Sequence, residues 1–180
     1  QQKRKLEDLE RESLLRFEHC GGIGDVVNKL NSHIAQNPLF FKVCAAVYDS
    51  DAKSPNAPSA QAKYVGNVCG QLSVANFMLS RRAIENYLMP SWIRAWSSKR
   101  PNQDARKQAF KKLDSFRKLT VQQRSHFHMK KGFAADAHEM QGDADTLFQG
   151  LDVDVLEPLK NGFGNSIGSD LYSETWVQDS

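Results

Sequence analysis

The chain has 180 residues, a formal net charge of +3, 40% hydrophobic and 25% charged residues. That length suits one domain with a real core, and the composition is ordinary for a globular protein. Three widely spaced cysteines, Cys20, Cys44 and Cys69, argue against a disulfide framework and a zinc ribbon and fit a reducing, cytoplasmic setting. No apolar run approaches the length of a membrane span and no signal peptide is visible.

Gln1 to Leu15 is rich in Lys, Glu and Arg, with Leu6, Leu9 and Leu14 apolar. It predicts an amphipathic helix, a connector over residues 1–13 from an upstream region of a longer protein. Leu14 to Glu18 predicts a short strand ending in a carboxylate. Cys20-Gly21-Gly22-Ile23-Gly24-Asp25 then predicts a tight glycine turn. Asp25 caps or opens a helix over Val26 to Gln36, whose apolar Val26, Val27, Leu30 and Ile34 have helical spacing. Phe40 to Tyr48 predicts the second strand of a βαβ unit. Its continuous apolar run reads as a strand buried on both faces, as in a parallel sheet. It stops at Asp49-Ser50-Asp51. Strand alternation puts both carboxylates on one side, at the edge where open α/β sheets bind ligands. They repel unless a cation lies between them, so the pair predicts a divalent-metal site.

Ala52 to Ser59 reads as a loop, Ala60 to Cys69 as a helix and Gln71 to Leu79 as a third strand. Glu85 follows that strand, with Arg81 and Arg82 beside it. Glu18, the aspartate pair and Glu85 thus follow three successive candidate strands. Oxygen ligands of this kind suit a hard cation such as Mg²⁺. Trp92 to Phe116 reads as helical and basic, and Trp92 and Trp96 share a face that suits core packing. Thr120 and Gln123 have capping-box spacing. Ser125 to Phe133 gathers His126, His128, Lys130 and Lys131, with Arg124 just before it. Cations beside a metal site hold phosphate or offset charge in a transition state; a solvated basic loop is the plainer alternative. His126 and His128 lack a third partner for a soft metal. Arg94 to Lys131 is basic and Asp136 to Asp179 mostly acidic, so the basic part either faces a polyanion or is a solvated helix face. Gly-Phe recurs at 132–133 and 162–163 without a fixed period. Asp136 to Asp154 predicts short helices and loops, with Asp143 and Asp145 in a surface loop. Val153, Val155, Leu156 and Leu159 cover the core.

These residues resemble a Toprim domain of the kind found in overcoming-lysogenization-defect (OLD) family nucleases of bacterial anti-phage defence. The resemblance is carried by Phe17-Glu18 with Gly21-Gly22, by Tyr48-Asp49-Ser50-Asp51 and by Arg82-Ala83-Ile84-Glu85-Asn86-Tyr87-Leu88. It extends from about Leu14 to Phe133. Gly22 stands where many members carry an Asp, the nearest here being Asp25, and Ala83 stands where some carry a Ser. The resemblance implies an α/β fold: a Toprim-like Rossmannoid domain over 14–133, with a mainly parallel central sheet flanked by helices. A helical basic insertion lies near 92–124 and a helical C-terminal extension over 134–180.

It also implies a Mg²⁺- or Mn²⁺-dependent endonuclease that cleaves phosphodiester bonds by a two-metal mechanism. Glu18, Asp49 and Asp51 would hold one ion, with Asp25 a further candidate. Glu85 would hold the second, bridged by Asp49. Lys130 or Lys131 would neutralise the scissile phosphate. Arg81, Arg82, Arg124, His126 and His128 are candidate nucleic-acid contacts, mostly to phosphate. The implied partners are nucleic acid, DNA before RNA, an ATPase upstream or in a partner chain, and a second copy in a homo-oligomer. No phosphate-binding Gly-Lys-Ser/Thr loop occurs in the sequence. The alternative is a catalytically degenerate Toprim-like module that binds nucleic acid or a partner ATPase, favoured by Gly22 and Ala83.

Overall fold

The computed structural model describes residues 8–12, 16, 18, 20–36, 44–135 and 147–173. Strands β1 (Ala45–Tyr48) and β2 (Ala75–Met78) pair in parallel, from Ala45 opposite Ala75 to Tyr48 opposite Met78. Parallel neighbours need a crossover, and helix α2 (Ala60–Gln71) supplies it, its first turn capped by the Ser59 hydroxyl accepting from the Ala62 amide. Helix α1 (Ile23–Gln36) packs on α2. Val27, Leu30, Ala46, Tyr48, Val65, Cys69 and Val74 form the core of this unit. Val27 and Leu30 belong to the apolar spacing that marks α1 in the sequence.

Two expectations shift here. The third strand starts at Ala75 rather than Gln71 because α2 runs on to Gln71 and the chain reverses through Ser73 at φ 55°. Carbonyls of Val68, Gly70 and Cys69 accept from Leu72, Ser73 and Val74 to close that turn. Nor is β1 buried on both faces among the described residues. Ala46 and Tyr48 face the core, while Val47 and its neighbour on β2, Phe77, are each 63% exposed.

A second core follows. It joins helices α3 (Pro90–Ser98) and α4 (Gln103–Lys118), the residues Leu119 and Phe127 on either side of α5 (Val121–His126), and helices α6 (Val153–Leu159) and α7 (Ser166–Ser173). Ile93, Trp96, Leu113, Phe116, Phe127, Leu159 and Ile167 fill it, and Trp92 packs against its edge. The basic stretch after Trp92 is therefore two helices, not one. Pro101 interrupts it, and the Asn102 side chain restarts the helix by accepting from the Ala105 amide. Thr120 and Gln123 form the expected capping box, with bonds of 3.2 and 2.8 Å.

The C-terminal segment is bound to the strip before α6 through backbone. Gly132 (φ 68°) and Gly162 (φ 56°) lie against each other, so closely that a Cβ on Gly132 would fall 2.1 Å from the Leu159 carbonyl oxygen. Beside them the Phe163 and Gly164 amides donate to Met129 and Lys130 carbonyls at 2.8 and 2.9 Å. The Lys112 ammonium donates to the Gly162 carbonyl, and burial lowers its pKa.

The fold is thus mixed α/β, with a small parallel sheet and several helices. No helix among the described residues is long and apolar enough to cross a membrane. Of the proposed connector, residues 8–11 are helical and 1–7 lie outside the described residues. Also outside them are most of the proposed first strand, residues 40–43 of the second, and 136–146 with Asp143 and Asp145.

Candidate functional site

The two cores meet where β1 and β2 end, and the junction is made by backbone hydrogen bonds. The Asp51 amide donates to the Arg82 carbonyl at 2.8 Å, and the Arg82 amide to the Ser125 carbonyl at 2.9 Å. The buried Ser50 hydroxyl donates to the Arg81 carbonyl at 2.7 Å. His126, also buried, meets the Ala52 carbonyl through Nδ1 at 3.0 Å. A carbonyl only accepts, so Nδ1 is the donor in this contact.

At this junction lies a cavity of about 70 Å³, lined by Asp49, Asp51, Arg82, Glu85, His128 and Lys130 among others. Such a space admits a small ion with some of its water. A larger groove of about 650 Å³ runs between α4 and α6. It mixes Lys107, Lys111 and Lys118 with Asp114, Asp154 and Glu157 and holds none of the candidate residues. The smaller cavity is the chemically focused one.

Three carboxylates reach it from two chain segments. Asp49 follows β1 directly, and its Oδ1 accepts from the Ile84 amide at 2.9 Å. Asp51 lies at φ 48°, a left-handed turn that Asp tolerates better than most residues. The two aspartates share the cavity because the chain turns here, and not through strand alternation. Glu85 sits in the 3₁₀ turn Ile84–Tyr87 that follows β2 and is 5% exposed. Its Oε1 meets Lys130 Nζ at 2.8 Å. Burial first, then the neighbouring Glu85 and Asp51 charges, raises the Asp49 pKa; the Ile84 amide and Lys130 work against that.

The segment Ile84-Glu85-Asn86-Tyr87-Leu88 places each side chain for a distinct reason. Asn86 is buried and acts as a bracket: its Nδ2 donates to the Arg124 and Phe127 carbonyls at 2.7 and 2.9 Å, and its Oδ1 accepts from the Ala83 amide at 3.0 Å. Tyr87 lies under Arg81, 4.6 Å from guanidinium carbon to ring centre, and its hydroxyl accepts from the Arg81 amide. Leu88 enters the second core. Asn86→Ala would leave those groups without their bracket, at about 1–3 kcal/mol for each that stays buried. Its melting temperature, followed by circular dichroism, is expected to drop by several degrees.

The other candidates are dispersed. Glu18 does not line the cavity. It pairs with His33 at 2.9 Å, Arg16 at 3.0 Å and Lys29 at 3.7 Å; the His33 hydrogen bond first lowers its pKa, burial opposes it, and the His33, Arg16 and Lys29 charges lower it further. Asp25 is exposed in the first turn of α1. Lys131 is exposed outside the cavity, so Lys130 is the lysine at the carboxylates. Arg81 donates to the Asn86 carbonyl at 2.5 Å, and Arg124 to the Arg117 and Leu119 carbonyls at 3.2 and 2.9 Å. Arg81, Arg124 and His126 are thereby engaged in holding backbone; Arg82, buried and donating to the His126 carbonyl at 3.4 Å, and His128 also line the cavity. Asn86 escaped attention in the sequence, although it lies inside the segment that singled out Glu85.

No three His, Cys, Asp or Glu side chains among the described residues stand close enough to cage one ion. Comparison with protein-family models, with curated proteins and with solved structures finds no match to this chain.

Proposed function

We propose that the chain is a Mg²⁺- or Mn²⁺-dependent nuclease of the Toprim type found in OLD-family defence effectors, with β1 and β2 as part of a Rossmannoid sheet. One observation carries this reading: Asp49, Asp51 and Glu85, from segments more than thirty residues apart, line one cavity together with Lys130. The donors are all oxygen, which suits a hard cation. Mg²⁺ in particular keeps much of its water and is held by one or two carboxylates rather than by a full protein cage. Bound ions would supply an activated water and offset charge on the leaving oxygen.

The chain's own part is positional. Asp49 is oriented by the Ile84 amide and Glu85 by Lys130. Lys130, 38% exposed and paired with Glu85, would neutralise a phosphate oxygen of the substrate. Arg82 and His128 border the same opening. Substrate would be held mainly through its phosphates, DNA before RNA, with an ATPase region in the same chain or a partner.

Incubation with plasmid DNA and with total RNA tests the reading. Cleavage is expected with Mg²⁺ or Mn²⁺, none in EDTA, and recovery when the metal is restored. The second reading, a binding module without catalysis, draws on Glu18, which is engaged with His33 outside the cavity. In that case nucleic-acid affinity survives EDTA and no cleavage occurs under any metal.

A further inference from the structure

Helix α7 approaches the candidate site through a glycine. A Cβ on Gly168 would lie 2.5 Å from Glu85 Oε1, 3.1 Å from its Cγ and 3.2 Å from its Cδ. Gly168 lies within a helix and is not among the glycines at positive φ, so its backbone does not require glycine. Alanine at a helix interior is favoured by about 1 kcal/mol. The reason for glycine here is therefore the contact with Glu85.

Of the two partners in that contact, the helix is the one held in place. Ile167 is fully buried in the second core. Asp170, one turn of α7 from Ile167, accepts from Trp96 Nε1 at 2.9 Å and from Arg100 at 3.1 Å, which ties α7 to α3. The Glu85 carboxylate, by contrast, is the end of a flexible side chain, held by Lys130 at 2.8 Å. A methyl group at 168 must displace the Glu85 carboxylate rather than the helix.

We infer that Gly168 is a positioning residue for Glu85, and that α7 backs the Glu85 side chain by leaving room for it. This rests on the reading of the pocket as a hard-cation site. It joins a C-terminal segment to chemistry that the sequence confines to residues before Phe133.

The test is a double-mutant cycle on the protein with G168A, E85D and their combination, read by Mn²⁺ binding without nucleic acid, by melting temperature and by amine labelling of Lys130 followed by mass spectrometry. With Glu85 in place, G168A is expected to weaken Mn²⁺ binding at least about tenfold, the scale typical of losing a ligand's supporting contact. In the E85D background, one methylene shorter, the same change is expected to have little effect, which is the non-additivity of groups in contact. Lys130 is expected to label several-fold faster in G168A, because its carboxylate has moved. A fold lost in G168A and regained in the double variant would place the clash at Glu85 equally well. Unchanged labelling together with equal Mn²⁺ effects in both backgrounds overturns the inference. If the unmodified protein binds no Mn²⁺, the metal reading fails, and the labelling alone decides whether Gly168 positions Glu85.

Discussion

Asp49→Asn is expected to remove Mg²⁺-dependent cleavage while raising the melting temperature at neutral pH. The asparagine Oδ1 can still accept from the Ile84 amide, as Asp49 does at 2.9 Å, so the turn after β1 is kept. What is lost is the negative charge, and with it the cation ligand of the proposed reading. Misplacement on the ångström scale already costs about 10² in rate, so a loss of at least about 100-fold is expected. The stability change follows from the raised pKa of Asp49, caused first by burial and then by the Glu85 and Asp51 charges. A carboxyl whose pKa is higher in the folded state makes folding less favourable once it ionises. That handicap is fully present above the folded pKa and disappears as pH falls below the unfolded one. The advantage of Asp49→Asn should therefore be greatest near pH 7 and shrink on acidification. Glu85→Ala should also abolish cleavage but lower the melting temperature, since it strips Lys130 of a partner at 2.8 Å. Cleavage by Asp49→Asn at the normal rate would refute the metal assignment.

Gly132→Ala is expected to be the most damaging single methyl group in the described structure. Its φ of 68° is one that alanine resists, and the added Cβ would stand 2.1 Å from the Leu159 oxygen, 2.2 Å from the Gly162 nitrogen and 2.6 Å from the Lys160 oxygen. All three are backbone atoms, so no side chain can swing aside. Left-handed strain alone costs about 1–3 kcal/mol, and parting the two strips adds the bonds of Phe163 and Gly164 to Met129 and Lys130. A total above about 3 kcal/mol implies a fall of roughly 6–12 °C or more for a domain of this size. Gly150→Ala is the matched control: its φ is 76°, but no atom lies within 4 Å of the added Cβ. It should show only the conformational part, on the order of 1–3 kcal/mol. Equal losses at the two positions in thermal melts would show that the close approach of Gly132 to Gly162 is unimportant.

The sequence makes legible what short-range chemistry determines. The apolar spacing of α1 and the capping box at Thr120 and Gln123 are local signals, and the structure has both of them. The end of α2 was less legible, because Leu72 and Val74 suit a strand as well as the buried turn they form. The recurrence of Gly-Phe at 132 and 162 is visible in the sequence, but nothing local says that the two glycines face each other. Gly168 is further still from such signals: it meets a residue 83 positions earlier, and a helical glycine by itself announces nothing. Long-range contacts between backbone and side chain leave no periodicity behind. For the same reason the sequence could not separate Lys130 from Lys131, which differ by which one the backbone ladder with residues 163 and 164 turns toward Glu85.

The left-handed turn at Asp51 alters how much each aspartate of the pair tells a reader of related sequences. At φ 48°, glycine, asparagine and aspartate are the residues the backbone accepts readily, so an aspartate there is partly a matter of geometry and carries limited information about cation binding. Asp49, which follows the extended strand β1, is under no such constraint. A pattern built to find this site elsewhere should weight position 49 and Glu85 heavily and let position 51 vary among those three.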